Sequence, residues 1–308
     1  MNSEPAVVVR GLRKRFGDLE AVAGIDLRLP RNQVFGLLGP NGAGKTTTLR
    51  MLCGLLKPDA GTIQVLGRDL DRRWGAANIG LCPQDLVIWE GLTAAEQLRY
   101  VAAIHDVPAN EAKRRVEGVL RALGLQDKAR RLASTLSGGM KRRLNLALAL
   151  MHDPAVLVLD EPQAGLDPQS RLLVREFVRS MAGTRTVILT THDMEEADKL
   201  SDRVAILDRG RILAEGTPEE LKVCDSRGDV LEFRVEAAAL PAGLLDDPRW
   251  SASMAGTLVR VTATDSLACL GELRTRLASA GLAPEDVRIR RYSLEDLFIS
   301  LTGRGLRE

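Results

Sequence analysis

No apolar run in the chain reaches the length of a membrane span, and the N-terminus carries no basic-then-apolar signal. If the protein serves a membrane process, a separate polypeptide must supply the membrane part. An excess of one charge is also missing. The 43 basic and 41 acidic residues leave a formal net charge of +2. That balance gives no support for bulk nucleic-acid binding, which usually shows a strong basic excess. Cysteine is scarce. Cys53, Cys82, Cys224 and Cys269 form no C-x-x-C pair, and no His/Cys cluster has zinc spacing. Scattered thiols of this kind fit a reducing cytoplasm, and Cys82 reads as a small buried apolar residue. There is no convincing internal repeat and no low-complexity segment. What remains is an ordinary globular composition, 45% hydrophobic and 27% charged over 308 residues. It suggests a sizeable core, with one large and one small domain or two medium ones.

The stretch Gly39-Pro40-Asn41-Gly42-Ala43-Gly44-Lys45-Thr46-Thr47 matches G-x-x-x-x-G-K-[ST], the phosphate-binding P-loop. The apolar run 33–38 reads as a buried strand leading into it. Residues 46–56 read as a helix leaving it, with Leu49, Leu52, Leu55 and Leu56 at helical spacing. Glycines let backbone N–H groups close around an anion, and the helix N-terminus adds its positive dipole end. Lys45 is expected to reach the outer phosphates and the Thr46 hydroxyl to bind Mg²⁺. The pattern therefore implies a nucleoside triphosphate as ligand.

Ahead of the loop, residues 6–9 and 21–29 read as an antiparallel strand pair. Phe16 lies in the connecting region, where it could stack on adenine or pack in the core. Beyond the loop, 62–67 and 79–84 read as strands, the second ending at Gln84. Apolar residues 86–89 then occupy a loop. Residues 93–151 read mostly as helix, opening on a Thr93–Glu96 capping box. Val116, Val119, Leu120 and Leu123 share one face, and Gly124 suits a C-cap. Within this insert, Ser137-Gly138-Gly139 precedes a long helix and offers a hydroxyl and free N–H groups to an anion. The run 155–159 ends in Asp160 and Glu161, as a buried central strand with an active site at its C-terminal end would. Residues 186–191 form another apolar strand tipped by His192, and 204–215 read as a hairpin. Around 224–228 the character changes. The tail reads as short strands at 230–235, 258–261 and 287–289, with a helix at 266–280. A capped terminal helix begins at Ser293, with Leu294, Leu297, Phe298 and Leu301 on its apolar face.

The P-loop, Gln84, Ser137-Gly138-Gly139, Asp160-Glu161, Asp167 and His192 stand in the order and spacing of ABC-transporter ATPases, and residues 6–221 resemble that family. The resemblance implies an α/β fold: a P-loop NTPase of ABC type, with a RecA-like core, an antiparallel β subdomain and a helical subdomain. A small α/β C-terminal domain follows. The expected limits are 1–224 for the ATPase domain, with its helical insert at about 86–152, and 225–308 for the accessory domain. The resemblance assigns Lys45, Gln84, Glu161 and His192 to catalysis. Glu161 would polarise or deprotonate the attacking water, help worth about 10²–10⁴-fold. Thr46, Gln84 and Asp160 would hold Mg²⁺. Phe16, Asn41, Gly42, Ala43, Gly44, Lys45, Thr46 and Thr47 would hold ATP. Ser137, Gly138, Gly139 and Asp167 would act across an interface with a second ATPase domain, most simply a copy of the chain.

Two residues depart from the family pattern. Met140 stands where the motif usually ends in Gln, and Gln163 follows Pro162 where a small residue or Thr is common. The Ser-Gly-Gly-Met form followed by basic residues resembles the exporters of drugs, polyketides, polysaccharides, lipids or ions. The last segment, 293–303, resembles a motif of their accessory domain. The implied partner is an ABC-2 type membrane permease, with no nucleic acid, and the implied location is peripheral on the cytoplasmic face of the cell membrane. Segment 86–89 is the candidate dock for the permease, unless it folds onto the helical insert. Alternatives are a soluble ABC-type ATPase acting on a partner such as the ribosome, an importer ATPase and a non-hydrolysing regulator. The intact Glu161 and His192 argue against the last.

Overall fold

The computed structural model describes residues 4–224, 228–236, 240–241 and 243–302. They divide into two compact units, one ending at Pro218 and the other beginning at Glu219. Asp225, Ser226 and Arg227 of the anticipated domain boundary lie outside the described residues, as does Gly303 at the end of the terminal motif.

In chain order the first unit opens with β1 (Val7–Phe16), β2 (Leu19–Leu29), β3 (Val34–Leu38), α1 (Lys45–Leu52), β4 (Ala60–Val65), β5 (Arg68–Asp69), α2 (Arg72–Asn78) and β6 (Ile79–Cys82). The helical insert follows as α3 (Ala94–Ile104), α4 (Ala109–Ala122) and α5 (Gly138–Leu148). Then come β7 (Val156–Asp160), α6 (Pro168–Met181), β8 (Thr186–Thr191), α7 (Met194–Leu200), β9 (Arg203–Asp208) and β10 (Arg211–Gly216). Helix α8 (Pro218–Cys224) begins at the division between the units.

Strands β2-β1-β4-β5 form an antiparallel sheet. Val7 and Val9 are buried, and strict alternation would next turn Gly11 inward. A register shift between Val9 and Leu12, with Gly11 at φ 54°, puts Leu12 inside instead. That is a bulge preserving a hydrophobic face. The central sheet runs β10-β9-β3-β8-β7-β6. All its pairs are parallel except the terminal hairpin of β9 and β10. Every residue of β3 and β7 is buried, as expected for parallel strands covered on both faces. Along β7, Leu157 and Leu159 enter the core shared with the helical insert. Val156 and Val158 enter the opposite core, with Phe35 and Leu49. Each such side chain contributes about 1.5–3 kcal/mol by burial.

Registers decide what meets at the rim. Leu38 pairs with Thr191, Asp160 with Thr190 and Cys82 with Leu159. The loops leaving β3, β8, β7 and β6 therefore open along one edge of the sheet. The expected helix 46–56 ends sooner, because Gly54 turns the chain at φ 69° and the Leu55 N–H bonds back to the Arg50 carbonyl at 2.9 Å. Leu55 is left exposed outside the helix. The Thr93–Glu96 capping box forms, and Gly124 closes α4 at φ 62°.

The second unit contains β11 (Asp229–Arg234), β12 (Trp250–Ala255), β13 (Leu258–Ala263), α9 (Ser266–Ser279), β14 (Glu285–Arg290) and α10 (Leu294–Thr302). Its antiparallel sheet runs β12-β13-β11-β14. Cys269, Leu273 and Leu277 of α9 pack with Leu231, Phe233, Val259 and Val261. Strand β12 has no counterpart among the three strands read from sequence, because only Trp250 in it is buried and no alternation marks it. On α10, Leu294, Leu297 and Phe298 are buried, but Leu301 is exposed, so the apolar face is one residue shorter than its spacing suggested.

Candidate nucleotide and catalytic site

The P-loop follows β3 and opens α1. Gly44 is the N-cap, with φ 104°, and a methyl there would lie 2.3 Å from the Ala21 carbonyl oxygen. Only glycine fits. No side chain caps α1 and no acid stands in its first turn, so its leading N–H groups and positive dipole end are left for an anion. Asn41 and Gly42 are exposed, Ala43 is buried, and Thr46 and Thr47 are half-buried. Lys45 is buried, and its Nζ donates to the carbonyls of Gly39 at 2.7 Å and Pro40 at 2.9 Å. Burial holds its pKa below the usual lysine value, opposed by the charges of Glu161 and Asp160. A phosphate in the loop would place a counter-charge directly on this ammonium.

Asp160 ends β7 and Glu161 follows it, both buried. The Thr190 hydroxyl on neighbouring β8 joins them. It donates to Asp160 Oδ1 at 2.6 Å and accepts the Glu161 N–H at 3.0 Å. Glu161 has φ 47°, a left-handed conformation that costs a non-glycine residue of order 1–3 kcal/mol. His192, just past β8, has its Nδ1 3.0 Å from Glu161 Oε1, with its side chain half exposed. Gln84 is exposed just past β6. The sheet thus brings the sequence-read polar tips to one rim. Thr190 carries no signal in the sequence that sets it apart from Thr186 and Thr191 of the same strand; its burial and its pairing opposite Asp160 single it out.

Ser137, Gly138 and Gly139 open α5 in the helical insert. Ser137 is its N-cap, accepting from the Met140 N–H at 3.3 Å. A methyl at Gly139 would lie 2.7 Å from Ser170 Oγ and 3.1 Å from Asp167 Oδ2. Asp167 caps α6 through the Ser170 N–H at 2.9 Å, and this bond holds its carboxyl below the usual range. Phe16 is exposed, not in the core, with Lys14 Nζ 5.7 Å from its ring centre. Cys82 is buried as expected, and burial pushes its thiol up to about 11. In the loop after β6, Leu86, Val87 and Trp89 are exposed, while Ile88 packs against the core under the insert. Among the described residues no helix is long and apolar enough to cross a membrane.

A glycine-rich loop between a buried strand and a helix N-terminus, with a buried Asp-Glu pair and a histidine at the same C-terminal rim of a largely parallel sheet, is the arrangement of a P-loop nucleoside triphosphatase. Residues 22–164 match the family model described as ABC transporter. The chain is 41% identical to the daunorubicin resistance ATP-binding protein DrrA3 of Streptomyces coeruleorubidus, over 98% of this chain and 97% of that one. It is 40% identical to the Nod factor export ATP-binding protein I of Ralstonia nicotianae, over 100% and 97%. A solved structure of cbiO1 from Clostridium perfringens, part of the ABC transporter complex cbiONQ, has 29% identity and a TM-score of 0.66. It covers 72% of this chain and 92% of that one. The chain belongs to the ABC transporter family, as one of its ATP-binding and ATP-hydrolysing subunits that work with membrane subunits. These relatives lend no support to a ribosome-acting ATPase.

Proposed function

We propose that the chain powers export through a separate ABC-2 type permease, by ATP-driven closure of two ATPase domains and their reopening after hydrolysis. The reading is supported by the resistance and export proteins it resembles along its whole length. The observation that carries the chemistry is the convergence of the loops after β3, β6, β7 and β8. ATP binds with its phosphates in the loop 39–47 under Lys45 and its adenine against Phe16. Glu161 takes the proton of the attacking water, oriented by its bond to His192.

Thr46, Asp160 and Gln84 would hold Mg²⁺, which supplies charge neutralisation at the phosphates when bound. The donor set fits. It is all oxygen, and Thr190 engages only Oδ1 of Asp160. This is the sparse ligation magnesium accepts, keeping waters and phosphate oxygens as its other ligands.

The second anion site, Ser137 to Gly139, closes on ATP held by a partner copy, with Asp167 at that interface. The γ-phosphate draws the two together, and its loss on hydrolysis lets them part. The exposed Leu86, Val87 and Trp89 receive the permease at the cytoplasmic face of the membrane. The domain limits proposed are 1–224 and 225–308, with the insert at about 86–152. The accessory domain either stabilises the ATPase pair or contacts the permease. In the test, Glu161→Gln is assayed for ATP binding, dimerisation and turnover. Retained binding and ATP-dependent dimers with turnover reduced at least roughly 10²-fold are expected; wild-type turnover would refute the role of Glu161.

A further inference from the structure

Helix α5 carries a buried cation that neither the phosphate site nor the carboxylate pair accounts for. Arg142 is 6% exposed. Its hydrogen bonds all run to main-chain carbonyls. Nε donates to Pro162 at 3.4 Å, Nη1 to Pro83 at 3.3 Å and to Gln84, and Nη2 to Asp160 at 3.0 Å and to Glu161. One planar group therefore spans two loops, the one after β6 and the one after β7. Asn145, on the same helix face, continues the bridge. Its Nδ2 donates to Pro83 at 3.3 Å and Asp85 at 3.4 Å, and its Oδ1 accepts the Val87 N–H at 3.0 Å.

The bond to Glu161 falls where it matters. That residue sits at φ 47° and needs outside contacts to stay there. Its N–H is held by Thr190 and its carbonyl by Arg142. Five donors in a rigid plane can serve both loops at once. A lysine ammonium has three donors on one atom and cannot span them. Burying a cation without a carboxylate is costly unless dipoles surround it, and here the carbonyls do.

We propose that Arg142 is a positioning residue, which ties the aim of the Glu161 carboxylate to the position of α5. Because α5 begins at Ser137, a ligand engaging that N-terminus would be reported to the same chain's own hydrolytic carboxylate through the single guanidinium. The proposal rests on Glu161 as the group that activates water.

The test uses the full chain with Arg142→Lys, Arg142→Gln, Glu161→Gln and the double variant Arg142→Gln/Glu161→Gln. Turnover and KM for Mg-ATP are measured, with thermal melting alongside. Both Arg142 variants are expected to lose roughly 10- to 100-fold in kcat, with KM within about twofold, the signature of a misplaced group rather than lost binding. The double variant should be no slower than Glu161→Gln alone, because Arg142 acts through Glu161. Multiplying losses in the double variant would overturn the proposal. So would a lowered melting point with wild-type kcat, which is a structural role only. Normal loss in Glu161→Gln beside wild-type turnover in Arg142→Lys overturns the Arg142 proposal alone. Wild-type turnover in Glu161→Gln overturns the reading of Glu161 and this proposal with it.

Discussion

Thr190→Val removes one oxygen and almost nothing else. The side chain is fully buried in β8, and valine has the same shape and suits a strand. Two bonds go with the hydroxyl: the 2.6 Å donation to Asp160 Oδ1 and the 3.0 Å acceptance from the Glu161 N–H. The first is to a charged group, worth about 1.5–3 kcal/mol, and the second leaves a buried donor unpaired at about 1–3 kcal/mol. Water at the rim can replace part of the first, so the net destabilisation should be about 3 kcal/mol. For a domain of this size that is a melting point lower by roughly 6–12 °C. Catalysis should suffer too. With its N–H released, Glu161 can leave the left-handed region, and a displacement of about 1 Å at a reacting group costs roughly 10²-fold. The assay is thermal melting and Mg-ATP turnover, with Thr190→Ser as control because serine keeps the hydroxyl. A valine variant melting within about 1 °C of wild type and turning over within about twofold would refute the argument. A serine variant as impaired as valine would also refute it, because keeping the hydroxyl would then not be enough to keep the function.

Gly44→Ala should abolish binding of a fluorescent ATP analogue without unfolding the chain, since its methyl would meet the Ala21 carbonyl at 2.3 Å and distort the cradle; retained affinity would contradict this. The imidazole of His152 stacks on His105 at 4.1 Å, and burial, then His105, pushes its pKa down to about 4. A base whose folded pKa is depressed is neutral in the fold and takes up a proton on unfolding. Its stability contribution is therefore intact above pH 6.5 and lost as pH falls toward 4, with about 1 kcal/mol of it gone by pH 5 after solvent screening of this part-exposed ring. Melting at pH 7.5 and 5 should show that slope, and His152→Phe should flatten it; an equal slope in the variant would remove His152 as the cause. Leu86→Ser with Trp89→Ser should reduce co-purification of the membrane subunit, and undiminished capture would move the dock elsewhere.

Much of the site was legible locally. The cradle is a run of nine residues, 39–47, whose glycines answer to backbone geometry alone. Asp160 and Glu161 stand out because a five-residue apolar run rich in valine reads as a covered strand, whose polar end then lies at a rim. The caps at Thr93 and Gly124 are likewise decided within one turn of chain. Local pattern misjudged what depends on a neighbour or on a single φ. It ran α1 past Gly54, missed β12, and left Phe16 open between core and surface, where the fold leaves it exposed.

The ligand class, the order of the polar tips and the family they resemble are each written in a few consecutive residues and so can be read without a fold. Which tips meet is a property of the folded chain. Gln84, Glu161 and His192 share a rim through the order β3-β8-β7-β6, and strand order is set by pairings between residues far apart in the chain. The same holds for Thr190 and Arg142. A hydroxyl in one strand and a guanidinium on one helix have no periodicity to announce them. They acquire their roles when packing removes water and leaves the Glu161 peptide as the partner within reach.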